Sequence, residues 1–161
     1  PDAALLYREI RYDGKLTDTE ARFTADVEVE MVGSGEASEP LFTGDVAVLA
    51  PKLPAALRIV RESDQYRLIA SKAGRYKFKL EVVAKITRAE PWNQISFIGP
   101  AAAIASVAAQ ASAPGVEIQL QSGTLLESEQ KEGTARLRGF LGADRTVSLR
   151  WQSKAAEAAR N

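Results

Sequence analysis

The sequence contains no cysteine and no histidine. The first absence excludes disulfides, thiolate nucleophiles and zinc fingers. The second excludes Ser-His-Asp triads and a histidine general base. Aromatic residues make up only 7% of the chain, thin for a module that binds sugars through stacked rings. Neither sign of charge dominates. With 21 Lys and Arg against 21 Asp and Glu, the basic surplus that drives nonspecific nucleic-acid binding is missing. No apolar run approaches the roughly 20 residues of a membrane-spanning helix. The longest weakly polar stretch, 100–113, is mostly alanine and includes Ser106, Gln110 and Ser112. No signal peptide is visible, and a chain that opens on Pro1 with Met31 as its sole methionine reads as a processed or excised segment.

What is present is ordinary globular composition, 45% hydrophobic and 26% charged over 161 residues. That length suits one domain with a core that forms without staples. The dominant period is two. Phe23, Ala25, Val27, Val29 and Met31 alternate with Arg22, Thr24, Asp26, Glu28 and Glu30, as in a half-buried strand. Tyr76, Phe78, Leu80, Val82, Ala84 and Ile86 repeat the pattern, and so do Val147, Leu149 and Trp151. Shorter strands are expected over 5–12, 57–60, 66–70, 95–98, 116–120 and 135–141. Turn signals such as Asp13-Gly14, Gly33-Ser34-Gly35, Pro114-Gly115 and Glu132-Gly133 separate them. Many short strands and no long helix imply an all-β, antiparallel β-sandwich with short or no helix over residues 1–152. The Ala, Glu, Lys and Arg of 153–161 read as a linker or tail. The alanine-rich segment 101–113 fits helix by propensity and strand by alternation. We read it as strand, because an internal echo aligns it with the strand-like 45–53. In that echo 65–82 lies over 134–151 without gaps, matching Arg67-Leu68 to Arg136-Leu137 and Leu80 to Leu149. Phe42-Thr43-Gly44 falls on Phe97-Ile98-Gly99, and 57–59 on 116–118. Two fused half-repeats in one large sandwich would produce such an echo, as would chance.

The stretches Tyr12 to Ala25, Pro40 to Leu49, Gly74 to Leu80 and Leu149 to Lys154 together resemble an uncharacterised bacterial β-sandwich domain. That domain occurs among similar modules in long envelope-associated proteins. The resemblance spans most of the chain and implies a modular, extracytoplasmic, non-enzymatic sandwich in periplasm or cell envelope. It brings no catalytic residues with it.

Chemistry at a site would fall to Asp, Glu, Lys or Tyr. The acidic residues sit on polar strand faces (Asp26, Glu28, Glu30, Glu81) or in turns (Asp13, Asp64, Asp144), where a solvated face is the ordinary role. No phosphate-binding loop, dinucleotide fingerprint or nucleophile elbow appears. Only oxygen ligands could serve a metal, and Asp13, Asp18 and Glu20 match no calcium loop. We therefore expect no catalytic residue, no metal and no cofactor.

Two features invite a structural test. The polar face of 22–31 is acidic and that of 76–86 is basic through Lys77, Lys79 and Lys85, which predicts neighbouring strands with solvated, paired charges. Trp92 and Asn93, in a connection between strands, are the candidate binding residues for a glycan; a tryptophan that folds back to cap the core is the commoner arrangement. Tyr7 and Tyr12, an odd number of residues apart, are expected on opposite faces of the first strand. The function these readings favour is a non-catalytic interaction or spacer module of a larger bacterial envelope protein. Its partner would be a protein or neighbouring domains, without nucleic acid and without a transmembrane segment. The alternative is a carbohydrate-binding module using loop aromatics.

Overall fold

The computed structural model describes residues 1–153; the expected linker or tail lies, apart from buried Ser153, outside the described residues. The strands in chain order are β1 (Ala4–Leu16), β2 (Ala21–Val32), β3 (Ala37–Thr43), β4 (Val46–Val48), β5 (Leu57–Glu62), β6 (Gln65–Ala70) and β7 (Gly74–Ala84), followed by β8 (Thr87–Ala89), β9 (Trp92–Ile98), β10 (Ala102–Ser112), β11 (Glu117–Leu120), β12 (Thr124–Lys131), β13 (Thr134–Phe140) and β14 (Thr146–Gln152). No helix occurs among the described residues. One sheet has the order β12-β13-β10-β1-β2-β7-β4. The other runs β11-β14-β9-β3-β6-β5, with β8 added on β9. The protein is a β-sandwich. Its strand pairs are antiparallel except β1–β10, which is parallel.

The core forms because one side of each alternating strand points inward. Phe23, Ala25, Val27, Val29 and Met31 of β2 are all buried, as are Phe78, Leu80, Val82 and Ala84 of β7. Rings from both sheets meet in its middle. Phe97 stands edge-on to Tyr12 (5.8 Å), Phe23 (5.7 Å) and Phe42 (6.0 Å). Tyr7 and Tyr12 are both buried, against the expectation of opposite faces. The β1–β2 register shifts between Tyr7 and Glu9, and this bulge returns the odd spacing to one side. The alanine-rich segment is strand β10. Its weak intrinsic preference is overridden by pairing on both flanks, with β1 and with β13. Sequence reading missed β3, β12 and the three-residue β8. Pro40 interrupts β3, and every residue of the edge strand β12 is exposed, so no alternation marks it.

The echo is real in topology, with the sheets exchanged. Strands β1 to β7 and β8 to β14 follow the same pairing scheme, and each strand of the first half has its counterpart in the opposite sheet. Val82 lies between Phe23 and Val48; Trp151 lies between Asn93 and Ile118. Leu68 lies between Glu39 and Ile59; Leu137 lies between Ala109 and Ser128. The aligned pairs Leu68 with Leu137 and Leu80 with Leu149 are thus equivalent positions. The upstream part of the echo is corrected: β3 and β9 are paired neighbours rather than equivalents, and β10 answers to β3 rather than to 45–53. The one large departure is β8, three residues long where its counterpart β1 has thirteen.

The charged strands are neighbours as expected. Asp26 opposes Lys79 (3.6 Å) and Glu28 opposes Lys77 (3.7 Å), continued by Glu30–Arg75 (3.7 Å) and Arg22–Glu81 (2.8 Å). Arg8 of β1 closes on Glu30 from the other side. Lys85 lies beyond β7 and takes no part in this ladder.

Candidate functional site

The two candidate binding residues are adjacent in β9, and strand alternation sends them in opposite directions. Asn93 is fully buried. Its Nδ2 donates to Asp18 Oδ1 at 3.1 Å, while its Oδ1 has no partner. Beside it in the ladder stands Trp151, whose indole N–H donates to the Thr17 carbonyl at 3.0 Å. Both side chains thus fasten the 17–20 turn over one end of the core. The turn fits that task because Thr17 Oγ1 accepts the Glu20 N–H (2.9 Å) and the Thr19 N–H (3.2 Å), presenting its carbonyl and Asp18 inward. Asn93 is a clasp from within and is not open to a ligand.

Trp92 is half-buried on the outer side of the second sheet, so it does not cap the core. The guanidinium of Arg150 lies over its ring, 4.2 Å from the centroid. Arg150 Nε donates to Gln119 Oε1 at 2.7 Å, and Gln119 Nε2 donates to Glu117 Oε1 at 3.0 Å. A polar relay thus runs across β9, β14 and β11, with a ring face already engaged by a cation. Sequence spacing could not show this, because Trp92, Gln119 and Arg150 meet only through β14.

A second feature went unread in the sequence. Along β10 Ala108, Ala109 and Gln110 floor a trough of about 180 Å³, walled by Asp13 and by Glu127, Glu129, Arg136 and Arg138. Arg138 Nε donates to Glu127 at 2.8 Å, and that hydrogen bond holds the Glu127 carboxyl below the usual carboxylate range. Arg136 donates to Gln110 at 3.3 Å. A carboxylate kept ionised by a guanidinium is a poor proton donor, so Glu127 is unsuited to general acid work. The buried hydroxyls of Tyr7 and Tyr12 are held well above the ordinary tyrosine range, chiefly by desolvation, and stay protonated. Asp13, Asp18 and Glu20 form no metal-binding group; among the described residues no cluster of three such ligands exists.

No protein-family model and no curated protein matches the sequence. In fold, the chain is similar to solved peptidase structures. An M1 zinc metallopeptidase from Deinococcus radiodurans superposes with a TM-score of 0.54 at 8% identity, over 92% of this chain and 42% of that one. A variant of that enzyme bound to a Tyr-Ser-Ala substrate gives 0.56 at 8% identity with the same coverage. Legionella pneumophila aminopeptidase A in complex with aspartic acid gives 0.53 at 9% identity, over 94% of this chain and 22% of that one. At such identities the likeness shows the fold alone. The chain spans less than half the length of these proteins.

Proposed function

We propose that this chain is a non-catalytic β-sandwich module that works within a larger bacterial protein, holding or contacting other domains at the cell envelope. The observation that supports this reading is one of proportion. The same sandwich accounts for nearly all of this chain and for a minority of the peptidases that share it. An architecture used as one part of large chains is suited to positioning neighbours. Its described carboxylates are consistent with that role, since those on β2 hold ion pairs across strands. The envelope assignment follows the sequence resemblance alone. The glycan-binding alternative has less support, because Asn93 is turned inside and Arg150 already covers a face of Trp92.

The test is enzymatic and cellular. The purified chain, with and without added zinc, is incubated with aminoacyl and peptidyl p-nitroanilides. Release at the buffer rate is expected. Enzyme-dependent turnover would overturn the non-catalytic reading. Fractionation of cells producing the full protein should place it with the envelope, and recovery in the cytosol would overturn the location.

A further inference from the structure

Where the start of β1 passes β3, the sandwich opens into a crevice. It is lined by Leu5, Leu6 and Tyr7 from β1, Glu39 and Pro40 from β3, Ala101 from the crossover into β10, and Arg145 from the turn before β14. Its volume of about 320 Å³ is at the lower end of the range of small-ligand sites. Leu5, Leu6, Pro40 and Ala101 give it apolar walls. Leu6 is 43% exposed at its mouth. The opening has a topological cause. In the first sheet the long β1 fills the place between β2 and β10. In the second sheet its counterpart β8 stops after Ala89, and β3 reaches β9 only through Thr43 and Ile98. Beyond that pair β3 has no strand on its side away from β6.

Arg145 is the one cation of the crevice, set against the Glu39 carboxylate at its exposed rim. Its backbone is left-handed, φ 62°, a conformation costly for a residue with a side chain. It is fixed there by two hydrogen bonds: its N–H donates to the Gly142 carbonyl and its carbonyl accepts the Gly99 N–H, both at 3.0 Å. The guanidinium has no hydrogen-bond or ion-pair partner among the described residues, although Arg8, Arg22, Arg58 and Arg138 each hold a carboxylate. A half-buried arginine held in a strained position and left without an anion is a group waiting for one. The Tyr7 hydroxyl, protonated and joined to the Glu39 carbonyl only by a long 3.4 Å bond, is a second donor in the same crevice.

We propose that this crevice binds the C-terminal residue of a peptide, with an apolar side chain against Leu6, Pro40 and Ala101 and the free carboxylate on Arg145. Charge complementarity selects a carboxylate. The shallow walls suit one side chain rather than a long acyl chain. Pro40, lacking an N–H, keeps the bound chain from continuing as an added strand, so the ligand enters end-on. Glu39 at the exposed rim repels a second carboxylate on the ligand. The proposal rests on the module reading for its biological role and names the chemistry of the contact.

The test uses the chain described here and two probes, acetyl-Ala-Leu with a free carboxylate and the same peptide as its amide. Binding is followed by amide chemical shifts and calorimetry. Saturable shifts at Tyr7, Ala101 and Arg145 are expected for the acid, with the amide roughly tenfold weaker. Arg145→Gln should lose the preference for acid over amide while melting at the same temperature. Ala101→Phe, at an exposed wall position, should block both probes. Glu39→Gln should leave acid binding equal or tighter. Equal affinity for acid and amide, or no saturable shift in the crevice, overturns the proposal. Weaker binding in Glu39→Gln also overturns it, because Glu39 would then be holding a cation. Recovery of the probe intact separates this outcome from failure of the non-catalytic reading, which cleavage would signal.

Discussion

Phe97 is the position at which the two sheets are joined, and its removal measures that junction. The ring is 2% exposed and stands edge-on to Tyr12 and Phe23 of the first sheet and to Phe42 of its own. Phe97→Ala leaves a cavity that three rigid rings cannot collapse, so the loss is about 3–5 kcal/mol. Phe97→Leu keeps most of the volume and the burial. It forfeits three edge-to-face contacts, at roughly 0.5–1.5 kcal/mol for a pair and less than additive for rings in mutual contact, and should cost about 1.5–3 kcal/mol in total. Urea unfolding at constant slope reads both. With a slope near 2 kcal/mol per molar, the alanine variant should shift the midpoint down by about 2 M. Melting should fall by roughly 6–20 °C, at 2–4 °C for each kcal/mol. An alanine variant losing less than about 1.5 kcal/mol, or a leucine variant equal to the alanine one, would refute the view that these rings hold the sheets together.

Three further outcomes are expected. Asp18→Ala strips the buried Asn93 amide of its partner and should cost about 1–3 kcal/mol by chemical denaturation, whereas Asp18→Ala with Asn93→Leu should cost less than the single change. The Glu30 carboxyl is held below its ordinary value of 4.5, first by its hydrogen bond from Arg8 and then by Arg75. Its stabilisation is therefore present above pH 4.5 and lost as pH falls through the lower folded value, so Glu30→Gln should flatten the acid limb of a stability–pH profile. Gly139→Ala would set a Cβ 2.5 Å from the Thr124 carbonyl oxygen and 2.7 Å from Leu120 Cδ2. It should destabilise by about 1–3 kcal/mol and hasten amide exchange along β12.

How much of this was legible follows from what each residue touches. Strands β2, β7 and β14 were plain because one face of each is buried and the other wet, which writes the period into the sequence. The charged ladder was readable for the same reason: Asp26 and Glu28 had to face water, and so did Lys79 and Lys77. Strand β12 was illegible because nothing covers either face. Trp92 was misplaced as a cap because its neighbour Asn93 takes the inward position, and a buried asparagine makes sense only once Asp18 is seen across the turn. The tyrosines were misplaced by a single bulged residue. The crevice and Arg145 carried no local signal, since the opening is made by the shortness of β8, a property of pairing rather than of composition.

The exchange of sheets between the halves has a consequence for how the chain acquires its structure. Each half supplies strands to both layers, so the halves meet in each sheet, β1 with β10 in one and β3 with β9 in the other. The N-terminal β1 waits for β10 on its open side, and β9 waits for β14. One side of β1 therefore stays unpaired until β10 reaches it. Such non-local pairing folds slowly and leaves strand edges open to other chains in the meantime. For this protein the vulnerable interval is the one before β10 has joined β1.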